Sequence, residues 1–475
     1  MSSRASRLGK NTMLVFFGNI GAKVIGLVML PFYTHWLTVE DYGLTDVITI
    51  YVTFLIGIIT CCIGESLFVF PKGASNDEQK KYFTSGFFFL ICTSTFTAFI
   101  FLLLSIIFDC KAIHNSFADN IWLIYFMLIS QVVQQTTQQC TRSLDKMKVY
   151  SVTGIVCTLF TALLGFVLVP KQGVNGYVLS IILANIIAGL YSFIFSGIYN
   201  FIDINFIKKN HIDKMLRYSI PLIPNGIMWW LVNALNRPLM EFNIGLHDMG
   251  IYAVANKIPG ILSMVFTIFA TSWQISVLEE YGKEGYGNFY NRVFKLTFGV
   301  LLIAFIGLTM FSKIIMNIFV DADFYDAWKY APLLTLGVLF SNVSGFAGSI
   351  FSATRESKYY FYSSVWGAVV AIGLNIILIP MIGVLGACIS VIVSFAAMSI
   401  SRIAYGWKYV KINGIAKYLL VLSICIVFMM FYVNDLPLIY TLTMLGLSVI
   451  SLVMLEKEEL ILVGEFIKSK MLNIK

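Results

Sequence analysis

The chain has 475 residues, of which 58% are hydrophobic and only 12% charged, with a net charge of +8. A soluble domain carries about 25% charge, and many apolar runs here are about 20 residues long, the length that crosses a bilayer. These features exclude a soluble enzyme and a β-barrel built of short alternating strands. They also make the positive charge a property of loops beside a membrane, with no nucleic-acid partner.

Fourteen spans are predicted in chain order, at 12–35, 44–69, 83–108, 118–140, 149–169, 175–200, 216–244, 250–277, 294–320, 330–353, 359–380, 384–405, 416–433 and 437–455. The fold class is therefore an all-α polytopic membrane protein with 14 transmembrane helices. The basic start "MSSRASRLGK" precedes a long helix with no clear small-residue cleavage site, so it reads as the first span and not as a signal peptide.

The first span contains "GNIGAKVIGLVML", with Lys23 in the middle of the run. An ammonium at a helix centre costs about 2.5–3.5 kcal/mol on insertion scales, so it needs a wet cavity or a partner. Its stripe reads Thr12, Phe16, Asn19, Lys23, Gly26, Leu30, Thr34, smaller and more polar than the rest of the helix. Lys23 either faces a cavity or pairs with a carboxylate such as Glu65 or Asp46. Asp46 and Glu65 lie near the two ends of the second span, and Glu241 lies late in the seventh. Burial raises a carboxyl pKa and nearby cations lower it, so each is a candidate proton or sodium switch, a counter-charge or an end cap.

The fourth span holds "QVVQQTTQQCTR". Gln131, Gln134, Gln135, Gln138, Gln139 and Arg142 recur at helical spacing on one polar face. Amides in a wet cavity can hydrogen-bond sugar hydroxyls, and they can equally bond helix to helix. The seventh span carries Pro221, Pro224 and Pro238, so a kinked or broken segment is expected there. Arg237 stands near its outer end, as a cavity cation or an interfacial anchor. In the eighth span Lys257 heads the stripe Gly260, Met264, Thr267, Thr271, Gln274, again small or polar.

Most of the 33 basic residues fall at the termini and in every second loop, which makes both termini cytoplasmic. The outer loops are short and rather acidic. The C-terminal "EKEELILVGEFIKSKMLNIK" is mildly amphipathic and reads as a helix on the cytoplasmic surface. The eight cysteines are scattered without metal spacing and read as reduced and structural. No metal site and no catalytic residue is read; His35, His114 and His247 form no constellation.

An internal repeat is present. Pro170, Gly173 and Gly176 of "LVPKQGVNGYVLSII" map onto Pro380, Gly383 and Gly386 of "LIPMIGVLGACISVI". Upstream, "TRSLDKMKVYS" echoes "TRESKYYFYS", and "EDYGLTDVI" echoes "HDMGIYAVA". Six spans per copy give both copies the same orientation. The expected domains are residues 1–205 (spans 1–6), 206–410 (spans 7–12) and 411–475 (spans 13–14 and the amphipathic tail). Two such lobes suit alternating access by rocking.

Several of these stretches resemble one family. The opening "LGKNTMLVFFGNIGAKVIGLVMLPFYTHWLTVEDYGLTDV", with its basic start, its Asn in the first span, a Pro near that span's outer end and an acidic-x-x-Gly turn, is similar to Wzx-type polysaccharide (O-antigen) flippases. The second-half "IGLHDMGIYAVANKI" and the two P-x-x-G-x-x-G turns fit as well. These belong to the multidrug/oligosaccharidyl-lipid/polysaccharide exporter superfamily. The resemblance implies a V-shaped arrangement of the lobes. It implies a bacterial inner-membrane protein that turns undecaprenyl-pyrophosphate-linked oligosaccharide from the cytoplasmic to the periplasmic leaflet, for O-antigen or lipopolysaccharide synthesis. Cation coupling as antiport would use H+ or Na+, with no other cofactor. A polysaccharide polymerase and chain-length machinery are the implied protein partners.

A lipid pyrophosphate needs fixed cations in a low-dielectric cavity. Lys23, Lys257 and Arg237 supply them, and Asn19, Gln131, Gln135 and Gln138 supply polar contacts to the saccharide. In relatives an acidic residue often precedes the basic one in the seventh span, whereas here Pro238 follows Arg237 and the acid, Glu241, comes later. The alternatives are a cation-coupled multidrug exporter, a membrane glycan polymerase or ligase, and a channel. Lys23 in place of an acid argues against the first, the short outer loops against the second, and the lobed repeat against the third.

Overall fold

A computed structural model describes residues 25–472, with side chains described through residue 455. The described chain is helical and contains no strand. The first helix, α1, is described over residues 25–36. Lys23 and Asn19 lie outside the described residues, as do all side chains of the C-terminal amphipathic tail.

The next helix, α2 (Val39–Ile59), opens on Thr38, whose hydroxyl accepts the Asp41 backbone N–H, and carries Glu40 and Asp41 in its first turn. Both features favour a helix start. It is followed by α3 (Ile63–Val69), α4 (Asn76–Lys111), the short α5 (Ser116–Asp119), α6 (Ile121–Ser143) and α7 (Met147–Ser196). At 50 residues α7 is two spans joined at Gly173, whose φ of 54° and ψ of −128° are not helical. The predicted break in the seventh span is present as α8 (Lys209–Ser219), a 3-10 turn at Ile220–Leu222, α9 (Ile223–Asn233) and α10 (Asn236–Ile244). Pro224 and Pro238 sit in the first turns of α9 and α10, where proline's missing N–H costs nothing.

The chain continues as α11 (Leu246–Ala255), α12 (Lys257–Glu280), α13 (Tyr286–Phe319), α14 (Ala331–Ala353), α15 (Ser357–Ile382), α16 (Val384–Gly406), α17 (Ile415–Val433) and α18 (Leu438–Leu472). Ten of the described helices are long and apolar enough to cross a membrane. The glutamine-rich α6 is not among them, though it occupies the fourth predicted span.

The described residues form two compact units. The first runs through Ala253 and takes in Phe319–Phe324; the second holds Val254–Ile318 and the chain from Tyr325 onward. The first unit has one apolar cluster around Ile48, Val52, Ile124 and Leu128. A second surrounds Ile63, Leu67, Phe83 and Met215. The second unit is centred on α14, where Phe346 stacks on Trp273 at 4.5 Å and contacts Tyr290 and Phe294.

The repeat is visible in backbone geometry. Gly383 has φ 60° and ψ −135°, nearly the values of Gly173. A Cβ on Gly176 would lie 2.3 Å from the Leu168 carbonyl oxygen, and one on Gly386 would lie 2.3 Å from that of Leu378. The left-handed residues Asp145 and Arg355 follow the same 210-residue spacing, so the structural register pairs them even though the Thr-Arg echo in the sequence is offset by three.

Candidate functional site

The site of interest lies in the first unit, at the end carrying the basic loops. There α2 stops at Ile59 and two consecutive residues, Cys61 and Cys62, take left-handed backbone, with φ of 49° and 52°. Such conformations cost of order 1–3 kcal/mol each outside glycine. The thiols offset part of this: Cys61 donates to the Ile58 carbonyl and Cys62 to that of Gly57, both at 3.6 Å. The chain then resumes as α3, which brings Glu65 beside α6.

Between the broken helix and α6 is a cavity of ≈ 210 Å³, lined by Thr60, Glu65, Gln135, Gln138, Gln139 and Tyr150 among others. Its amides are held in place. Gln138 donates to the Tyr150 carbonyl at 3.1 Å and accepts from Gln134 at 2.9 Å. Gln139 donates to Glu65 at 3.2 Å. Gln135 is exposed and free to meet a ligand. Gln131 lies deeper along α6, and its buried side-chain oxygen has no protein partner among the described residues. One turn beyond Gln138, the Arg142 guanidinium sits 3.9 Å above the Phe68 ring, and the Lys72 ammonium is 5.2 Å from the same ring. A carboxylate and several amides in one recess, with cations just beyond, suit a ligand rich in hydroxyls with an anionic group attached.

The three candidate carboxylates have different surroundings. Asp46 accepts from Arg237 Nε at 2.8 Å, and Arg237 is 6% exposed. Arg237 also donates to the Asn233 carbonyl at 2.9 Å and stands 5.4 Å from the Tyr252 ring. Glu241 accepts from the Tyr51 hydroxyl at 2.9 Å and from the Ser116 backbone N–H at 3.2 Å. Glu65 has only the neutral Gln139 as a hydrogen-bond partner among the described residues. Two sequence candidates given separate roles, Asp46 and Arg237, are thus brought together, and Glu65 joins the glutamine face.

In the second unit Lys257 begins α12 with an exposed side chain, and Thr267, Thr271 and Gln274 of its stripe are exposed as well. Exposed polar groups at successive helical turns fit a water-lined surface better than lipid.

Sequence reasoning missed two features. The break at Thr60–Cys62 has no signal, because "ITCCIGES" contains no breaker at the site of the turn. The second is Arg402, a charge inside the predicted span 384–405 that is 4% exposed within α16. It donates to Ser363 and Ser364 hydroxyls and to the Ser344 carbonyl, with the Tyr360 ring 4.1 Å away, and so ties α14, α15 and α16 together. No group of three His, Cys, Asp or Glu among the described residues is placed to hold a metal ion.

A family model described as polysaccharide biosynthesis protein matches residues 8–274, and a second, MatE, matches residues 222–377. An uncharacterized membrane protein of Methanocaldococcus jannaschii is 25% identical over 294 residues, 57% of this chain and 68% of that protein. Among solved structures, the lipid II flippase MurJ in an inward closed conformation has a TM-score of 0.65 at 16% identity, over 96% of this chain and 99% of that one. An inward-facing multidrug resistance MATE family transporter of the MOP superfamily has a TM-score of 0.59 at 14% identity, over 83% and 94% of the two chains. At these identities the likeness is one of fold.

Proposed function

This chain belongs to the polysaccharide biosynthesis protein family, a group of MOP-superfamily membrane transporters and flippases, and from that premise we propose that it flips a lipid-linked saccharide. The substrate is an undecaprenyl-pyrophosphate-linked oligosaccharide, moved from the cytoplasmic to the periplasmic leaflet of a bacterial inner membrane for O-antigen or a related glycan. The observation that carries this reading is the recess at the α2–α3 break, where Glu65, Gln135, Gln138 and Gln139 gather hydroxyl-binding groups near Arg142 and Lys72.

The saccharide enters that recess while its pyrophosphate is met by cations. Arg142 and Lys72 stand beside the recess, Lys23 and Lys257 are the further cations the sequence offers, and Arg237 is matched by Asp46. Alternating access between the repeat-related lobes, residues 1–205 and 206–410, carries the bound group across. Coupling to H+ or Na+ is assigned to Glu65, because Asp46 and Glu241 are held by Arg237 and by Tyr51 with Ser116. Polymerase and chain-length proteins would take the product on the outer side.

The reading is tested by depletion and by reconstitution. Loss of the protein should trap lipid-linked repeat units in the inner leaflet. In proteoliposomes, Gln135→Ala should weaken saccharide binding by about two- to tenfold, the scale of one lost hydrogen bond of 0.5–1.5 kcal/mol. Glu65→Gln should abolish the dependence on a proton or sodium gradient. Unimpaired delivery to the outer leaflet without the protein, in a strain with no second flippase, would overturn the assignment. A second reading, a cation-coupled multidrug exporter, draws on the MatE match; it predicts export of amphiphilic cations by the same proteoliposomes.

A further inference from the structure

The first unit contains a second cavity that none of the foregoing uses. It measures ≈ 110 Å³ and lies between α2 and α9, walled by Phe54 on one side and by Ile223, Gly226, Ile227 and Trp230 on the other. Ile56, Gly57 and Cys62 line both this slot and the polar recess. The two cavities therefore meet at the helix break, one facing α6 and the other facing α9. Their chemistry is opposite: the recess holds a carboxylate and amides, while the slot is almost wholly apolar.

The slot is built by missing side chains and flat ones. A Cβ on Gly226 would meet nothing within 4 Å, and one on Gly57 would meet only the Cys62 sulfur at 3.9 Å. The Phe54 ring of α2 and the Trp230 ring of α9 meet across it, tilted, with centroids 4.5 Å apart. An apolar cavity of this kind stays dry, and one of about 150 Å³ accepts a six-carbon ring. The slot has room for about four to five carbons on that scale. Gly57 lies 18 residues along α2 from Val39, about 27 Å of rise, so the slot sits toward the basic end of the span.

An amphiphile whose polar head and apolar chain join at one point needs both cavities within a few residues. We infer that the slot between α2 and α9 holds the first isoprene unit of the substrate's polyprenyl chain while the adjoining recess holds its saccharide. The inference rests on the proposed function, which supplies a polyprenyl-linked substrate. The Phe54 and Trp230 rings give the flat, branched isoprene unit aromatic surface to pack on.

The test uses the purified full chain in detergent and four probes: farnesyl phosphate, a pyrophosphoryl disaccharide with no chain, the same disaccharide on farnesyl pyrophosphate, and phosphatidylglycerol. The wild type should bind the farnesylated disaccharide at least about tenfold more tightly than the chainless one. Gly226→Leu should reduce that preference to near unity and weaken farnesyl phosphate, while leaving the chainless disaccharide unchanged. Gly226→Ala, which adds one methyl to open space, is the folding control and should keep the preference. Undiminished binding of farnesyl phosphate by Gly226→Leu would overturn the slot. Equal displacement by phosphatidylglycerol would overturn its isoprenoid assignment. If the farnesylated disaccharide binds no better than farnesyl phosphate, the saccharide reading fails while the slot stands.

Discussion

The Asp46–Arg237 pair shows what a single charge does once the fold encloses it. The side chains are only 17% and 8% exposed, and the guanidinium also bonds the Asn233 carbonyl. Removing one partner strands the other charge, which costs about 3–5 kcal/mol, whereas replacing both with apolar residues is often neutral. Arg237→Ala and Asp46→Ala should each lower the thermal unfolding midpoint strongly in detergent. The double variant Asp46→Leu/Arg237→Met should recover most of the loss. Equal, additive losses would show the pair to be uncoupled. Both residues were visible in the sequence as intramembrane charges, but their partnership spans 191 positions and no local periodicity encodes it. Lys23, the most conspicuous charge in the sequence, lies outside the described residues, and Lys23→Ala and Lys23→Arg flipping assays test its role. Alanine should abolish flipping and arginine should keep part of it.

At the scale of elements, the repeated "EDYG" and "HDMG" starts acquire a physical meaning. Gly43 of α2 and Gly250 of α11 pack on each other's backbones. A Cβ at Gly43 would lie 2.3 Å from the Leu246 carbonyl oxygen, and one at Gly250 would lie 2.0 Å from that of Val39. No side-chain movement can relieve these contacts, because the nearest neighbour in each case is a main-chain oxygen. Gly43→Ala and Gly250→Ala should each destabilise by about 1–3 kcal/mol through overpacking. Gly446→Ala in α18, where a Cβ meets nothing within 4 Å, should be neutral or stabilising by up to about 1 kcal/mol. Differential scanning fluorimetry of the three variants separates a packing role from simple helix propensity. The sequence echo announced a likeness between these two starts; it did not announce that they touch, because a repeat encodes similarity and not adjacency. The glutamine face of α6 was legible from its 3.6-residue period. The recess it lines was not, since that recess exists only because α2 breaks at two cysteines that carry no turn signal.

For the whole molecule, the arrangement of charge makes one claim that a native residue can check. The alternation of basic loops places Lys72, Lys80 and Lys81 in the cytoplasm at the start of α4, and Cys110 on the opposite face at its end. The helix from Asn76 to Lys111 has 36 residues, about 54 Å of rise. A bilayer with its headgroup regions is about 40–45 Å thick, which the length of α4 exceeds, and the predicted span 83–108 ends two residues before Cys110. Cys110 is free and exposed there. Cys92, also free and exposed, lies near the middle of the same helix and inside the predicted span 83–108, where a membrane-impermeant reagent should not reach it. Intact cells treated with an impermeant maleimide should therefore label the protein, and Cys110→Ser should remove the label. Restoring a thiol at the other end, as Asn76→Cys in the Cys110→Ser background, should give labelling only after the membrane is permeabilised. The reverse pattern would invert the molecule. The recess at the basic end would then open to the periplasm, and the direction of lipid-linked saccharide transport proposed above would be wrong, whatever the recess binds.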